Sequence, residues 1–208
     1  MYNIIPKMNN TLFGRGKTKI LECFYRNRQK ELYFSEILRE TKLTPNTTLK
    51  HLKNLQQGNL VVSTKKISNT FYKINEKNSQ IYSIFSYFDY KRFNELPSER
   101  KRAINEFLDK LKVKPLIALI FGSTAKGNFR KESDIDILLV YNKKEARDKK
   151  LRESIEAITG IKIQTFVIDL NYFKDQILKE EDKVITHAIK TGFAITGFDK
   201  FYKEVLNE

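Results

Sequence analysis

The residues best placed to do chemistry are two aspartates at alternate positions, Asp134 and Asp136, at the head of the apolar run Ile137 to Tyr141. On an extended strand such side chains point to the same face, so two hard oxygen ligands lie side by side. Gly122 and Ser123 precede them, with ten residues between Ser123 and Asp134. Carboxylates in this arrangement hold Mg²⁺ ions about 3.5–4 Å apart and neutralise phosphate charge during phosphoryl or nucleotidyl transfer. Gly122 lets the backbone approach a triphosphate closely, and Ser123 offers a hydroxyl and an amide at a helix start. Lys126 and Arg130 are further candidates for phosphate contact. His187 lacks a Cys or acidic partner at motif spacing, so it reads as a surface or packed histidine.

Strands and helices must position these groups. Leu116 to Phe121 has the length and composition of a buried strand, and it ends at Gly122. The second strand carries the aspartates, and Ile161 to Ile168 reads as a later one. Helices follow at about 171–179 and 182–190, with Gly192 as a stop. Phe193 to Thr196 is a short strand, and Gly197 with Asp199 leads into a last helix.

The stretch from Phe121 through Gly-Ser and Asp134-Ile-Asp136 to Val140 resembles the signature of the DNA polymerase beta nucleotidyltransferase superfamily, in its minimal nucleotidyltransferase branch. The resemblance implies a mixed sheet with flanking helices, Mg²⁺ as cofactor, and transfer of a nucleoside monophosphate from a nucleoside triphosphate. It also implies a third carboxylate on a later strand. Ile161 to Ile168 contains no acid. Gln164 falls near the expected place, and Asp169, at the strand end, is the remaining candidate ligand. A neutral Gln can neither deprotonate a hydroxyl nor offset a second Mg²⁺ as a carboxylate does.

Charge separates this half from the other. The 208 residues carry 39 Lys and Arg against 25 Asp and Glu, a net of +14. Residues 1–113 hold 22 basic and 10 acidic groups, +12, whereas the remainder holds 17 and 15, +2. A basic excess confined to one part points to nucleic acid. There, Ile20, Leu21, Phe24 and Tyr25 recur at helical spacing, and Cys23 lies beside them. A short extended segment, 31–34, follows. Ser35 caps a helix with Ile37 and Leu38, and Thr44-Pro45 starts another whose Leu49, Leu52 and Leu55 face inward until Gly58. Leu60 to Lys66 and Thr70 to Ile74 form a hairpin, broken at Ser68-Asn69.

Residues Phe34 to Val62 resemble the core of prokaryotic winged helix-turn-helix transcription regulators, a likeness that covers about 16–75. In such modules the second helix of the pair enters the major groove and the wing lies along the backbone or minor groove. Asn46, Thr47, Lys50, His51, Lys53 and Asn54 lie on its outward face. Asn46 and Thr47 are candidates for base edges, and Lys50, Lys53, Lys65 and Lys66 for phosphates.

The expected class is α+β: a winged helix-turn-helix DNA-binding domain at 1–76, a helical linker or dimerisation segment at 77–112, and a nucleotidyltransferase-like mixed sheet with flanking helices at 113–208. The aromatic cluster from Tyr82 to Phe93 reads as core or a dimer face. Cys23 is the single cysteine, so no internal disulfide forms. No apolar run approaches a membrane span, and residues 1–10 lack the apolar core of a signal peptide. A cytoplasmic, archaeal type of protein is expected, with double-stranded DNA and a nucleoside triphosphate as partners and a homodimer as a possible assembly. The leading reading is a transcription regulator with a Mg²⁺–nucleotide domain. Two others stay open: an active nucleotidyltransferase that modifies a protein such as a toxin, a small molecule or an RNA end, and a degenerate nucleotide sensor.

Overall fold

A computed structural model describes residues 14–67, 69–143 and 148–206. Residues 1–10 and Ser68, which carry the leader and hairpin-tip expectations, lie wholly or partly outside them. The chain divides into two compact units, Met1–Ile81 and Tyr82–Glu208.

The first unit contains α1 (Gly14–Arg26), β1 (Leu32–Tyr33), α2 (Phe34–Thr41), α3 (Pro45–Gln57), β2 (Val61–Lys66) and β3 (Asn69–Ile74). The strands form an antiparallel sheet in the order β1-β3-β2, with Lys66 opposite Asn69 at the hairpin end. Ile20, Leu21, Phe24, Ile37, Leu52, Leu55, Val61 and Ile74 fill its core. The α3 start is as its residues dictate: Thr44 caps it and Pro45 occupies the first turn. Helix α2 begins one residue before Ser35, because the Glu36 carboxylate accepts from the Tyr33 amide at 2.8 Å and closes the helix end there. Leu49 does not face inward; it is 48% exposed, and Thr48 is fully buried in its place. The buried stripe of α3 therefore runs 48, 52, 55, an i, i+4, i+7 line that leaves Leu49 on its flank.

Residues 77–112 do not stand apart as a linker. They include α4 (Gln80–Asn94) and α5 (Ser98–Lys110), and Leu96, Ala103, Ile104, Phe107 and Leu111 enter the core of the second unit. The apolar spacing that could have marked a dimer face is satisfied within this unit. Phe85 and Phe88 are also buried, and Phe85 meets Tyr202 edge to face at 5.4 Å.

The second unit continues with β4 (Ile117–Phe121), α6 (Gly122–Lys126), β5 (Ile135–Tyr141), α7 (Lys149–Thr159), β6 (Ile163–Asp169), α8 (Leu170–Lys179), α9 (Lys183–Thr191), β7 (Phe193–Thr196) and α10 (Phe198–Leu206). Its sheet has the order β6-β5-β4-β7, with β5 and β6 parallel and the other pairs antiparallel. The sheet is mixed, as expected. Alternation along β5 sends Ile135, Ile137, Leu139 and Tyr141 to the face covered by α5 and α7. Asp136, Leu138 and Val140 take the opposite face, where α8, α9 and α10 pack. Both faces are covered, so β4 and β5 read as continuous apolar runs except where Asp136 interrupts them. Among the described residues no helix is long and apolar enough to cross a membrane.

Candidate nucleotide and metal site

The site begins where β4 stops. Phe121 pairs with Asp136 across the antiparallel ladder, and the next residue, Gly122, turns the chain with φ +67°. A Cβ at Gly122 would collide with Asp136 Oδ2 and lie 3.1 Å from its Cγ. The Asp136 carboxylate thus rests on bare backbone, and only glycine satisfies both the turn and the contact. Helix α6 is a single turn that ends at Gly127 with φ 72°. From there the chain runs back to Asp134, directly before β5.

Two arginines not singled out in the sequence hold this loop, Arg100 buried and Arg92 partly so. Arg100 of α5 is 3% exposed. It donates to Thr124 Oγ1 at 2.9 Å, the Arg130 carbonyl at 3.1 Å and the Ser133 carbonyl at 2.7 Å, and stacks over Phe129 at 4.1 Å. One guanidinium therefore grips both ends of the segment between Gly122 and Asp134. Arg92 of α4 donates to the carbonyls of Ala125 at 2.8 Å, Thr191 at 3.1 Å and Gly192 at 3.3 Å. It joins the end of α6 to the end of α9. Lone arginines carry no periodic signal, so only their bonds to distant carbonyls identify them.

Burial pushes the Asp136 carboxyl up, Asp134 adds to the rise, and His187 opposes it. His187 of α9 is pushed down by burial and by Lys126, and drawn up by Asp136. His187 therefore lies in the fields of both Asp136 and Lys126. The Thr191 hydroxyl donates to the His187 carbonyl at 2.9 Å, while its oxygen lies 3.3 Å from Nε2. The hydroxyl thus touches both the ring and the backbone of His187 at the end of α9. The sequence had set this histidine aside because its partners come from other elements, not from motif spacing.

Asp134 forms an ion pair with Lys162 at 3.2 Å. Gln164 lies in register with Asp136 on the parallel neighbour β6, on the same face, and is exposed. Asp169 is not a third ligand. It lies in register with Tyr141, five residues farther along the strand pair than Asp136, roughly 16 Å away at strand rise. Its carboxylate instead caps α8 by accepting from the Tyr172 amide at 2.9 Å. Among the described residues no three His, Cys, Asp or Glu side chains come together as a metal site. The two aspartates suit one Mg²⁺ completed by phosphate oxygens and water, the way this ion is commonly bound. The Arg130 side chain is exposed, and its backbone serves the loop: its amide donates to Ser133 Oγ at 2.9 Å.

In the first unit, Asn46, Lys50, Lys53 and Lys65 are exposed. The Thr47 oxygen is engaged by the Thr44 hydroxyl at 2.8 Å. Lys66 is exposed but ion-paired with Glu31 and lies over the Phe71 ring at 4.9 Å. His51 does not belong to the outward set. A Cβ on Gly16 would strike its ring, so it packs against α1.

Residues 102–190 match the model of the family described as Polymerase beta, Nucleotidyltransferase, and this stretch carries a nucleotidyltransferase domain of that type. A search of curated proteins and a search of solved structures gave no match.

Two outcomes follow from the geometry. Gly122→Ala is expected to lower stability by about 2 kcal/mol or more, measured by denaturant titration, because it combines a left-handed backbone with a collision. Asp136→Asn is expected to raise the thermal midpoint of the metal-free chain at neutral pH. Since folding raises the Asp136 pKa, its neutral form favours the folded state, and that contribution is lost as pH rises through its titration. The advantage of the amide should fade as pH falls through the same range.

Proposed function

We propose that the chain is a DNA-binding transcription regulator whose second unit binds a nucleoside triphosphate with Mg²⁺. The observation that carries the nucleotide part is the Asp136 carboxylate seated on Gly122 beside Asp134, within a stretch that matches the nucleotidyltransferase family. In this reading Asp134 and Asp136 hold the ion, which neutralises phosphate charge. Gly122 and Ser123 admit the triphosphate to the backbone, and Lys126 adds positive charge from the end of α6. Arg100 and Arg92 keep the loop in place before the ligand arrives.

The DNA part rests on the order of α1, β1, α2, α3 and the β2–β3 hairpin, the arrangement of a winged helix-turn-helix module, together with its basic excess. Asn46 and Thr47 at the start of α3 would meet base edges, with Thr47 reorienting from its bond to Thr44. Lys50, Lys53 and Lys65 would meet phosphates, and Lys66 would do so by exchanging Glu31 for a phosphate.

His187 supports a second reading, nucleotidyl transfer to an acceptor. Burial and Lys126 favour its neutral ring, whose unprotonated nitrogen would accept the proton of an acceptor hydroxyl as that oxygen attacks the α-phosphorus and pyrophosphate leaves. This would supply the base that Gln164 cannot. The acceptor would be a protein, a small molecule or an RNA end. Incubation with labelled nucleoside triphosphates, Mg²⁺ and candidate acceptors decides between the readings: label transfer lost in His187→Ala selects the enzyme, and binding without transfer selects the sensor.

Calorimetric titration with a nucleoside triphosphate should show binding that requires Mg²⁺ and disappears in the Asp134→Ala, Asp136→Ala double variant; heat unaffected by either would refute the nucleotide site. Fluorescence anisotropy with duplex DNA should give affinity that falls with salt. Lys50→Ala and Lys53→Ala should weaken all duplexes alike, each reducing the salt slope by about 1, while Asn46→Ala should cost about 1–3 kcal/mol on preferred sequences only.

A further inference from the structure

Strand β6 brings more than a neutral Gln164 to the aspartate pair. Its register puts Gln164 beside Asp136, and Lys162, the residue directly before β6, meets Asp134, the residue directly before β5. The Lys162 ammonium reaches Asp134 Oδ2 at 3.2 Å. Its backbone is fixed at the same place, since its carbonyl accepts from the Ile135 amide at 2.9 Å. The Lys162 side chain is 59% exposed and that of Asp134 30%. The lysine can therefore leave for solvent without opening the core, while its tether keeps it within reach.

We propose that Lys162 is a built-in counter-cation of the Asp134–Asp136 pair, and that a divalent ion entering with a nucleoside triphosphate displaces its ammonium. This rests on the nucleotide-binding reading above. Two carboxylates on one face, one of them half-buried against Gly122, repel each other, and a cation relieves the repulsion. Among the described residues no further Asp, Glu, His or Cys joins them to form a three-group metal site. Lys162 reduces the formal charge of the pair from −2 to −1. An incoming Mg²⁺ or Mn²⁺ must compete for Asp134, so the lysine lowers divalent affinity while the site is empty and returns when the ion leaves. The competition is electrostatic and largely solvent-exposed, which makes it modest and sensitive to salt.

The test is Mn²⁺ binding to the full chain, followed by electron paramagnetic resonance at low ionic strength with a non-hydrolysable nucleoside triphosphate analogue present. Lys162→Ala and Lys162→Met are each expected to bind Mn²⁺ about fivefold more tightly than the parent, a gap that narrows at high salt. Lys162→Arg, which retains the charge, should behave as the parent does. Equal or weaker Mn²⁺ binding in both neutral variants overturns the proposal while leaving the nucleotide site intact. Parent binding that survives in the Asp134→Ala, Asp136→Ala double variant overturns the nucleotide-site reading itself. The two failures are therefore distinct. Melting curves for each variant identify any that fail to fold, and either neutral substitution alone is sufficient.

Discussion

A missing side chain governs the second unit. The Asp136 carboxylate occupies the space where any other residue at position 122 would place its Cβ, and the same glycine takes the left-handed turn that ends β4. Had the chain carried a side chain there, the carboxylate would be driven toward solvent. The half-buried acid is held against its own preference for ionisation in water, with Asp134 adding to the strain. Functional sites tolerate such groups because the surrounding fold over-determines them.

The surrounding fold does so with arginines. A loop that turns beside a sheet leaves carbonyls without ladder partners, and buried carbonyls need donors. Arg100 satisfies those of Arg130 and Ser133, and Arg92 those of Ala125, Thr191 and Gly192. Both come from the two helices that precede the sheet. Those helices belong to the site as much as the strands do, because they fix the loop that presents the acids. The basic residues of this chain thus serve unlike ends: some are solvated, while Arg92 and Arg100 are bound to backbone oxygen.

The strands, the Gly-Ser turn and the acidic pair were legible because each leaves a local pattern: an apolar run of strand length, a glycine at its end, and alternation. The caps of α3 were legible for the same reason, since Thr44 and Pro45 act within one turn. What local pattern could not decide was facing. Thr48 rather than Leu49 is buried, because the direction from which α1 packs sets the stripe, and His51 is caught in that same contact. Nor could it decide pairing across distance. Lys162, His187, Arg92 and Arg100 lie far from the motif in sequence. Asp169 looked near only because it is an acid at the end of the right strand. Register moved it to the far end of the sheet, where it caps a helix.

Strand β6 is an edge of the sheet, bonded to β5 alone among the described residues. The acids stand on an inner strand, locked by β4 and the arginine-bound loop, whereas the residues that set the charge around them stand on the rim. The scaffold and its electrostatic setting are consequently separable. Exchanges at Lys162 or Gln164, both largely solvated, can change the charge and hydrogen bonding beside the acids without disturbing the inner hairpin. Small changes along one strand can thus alter the electrostatics of the acid pair at little risk to folding.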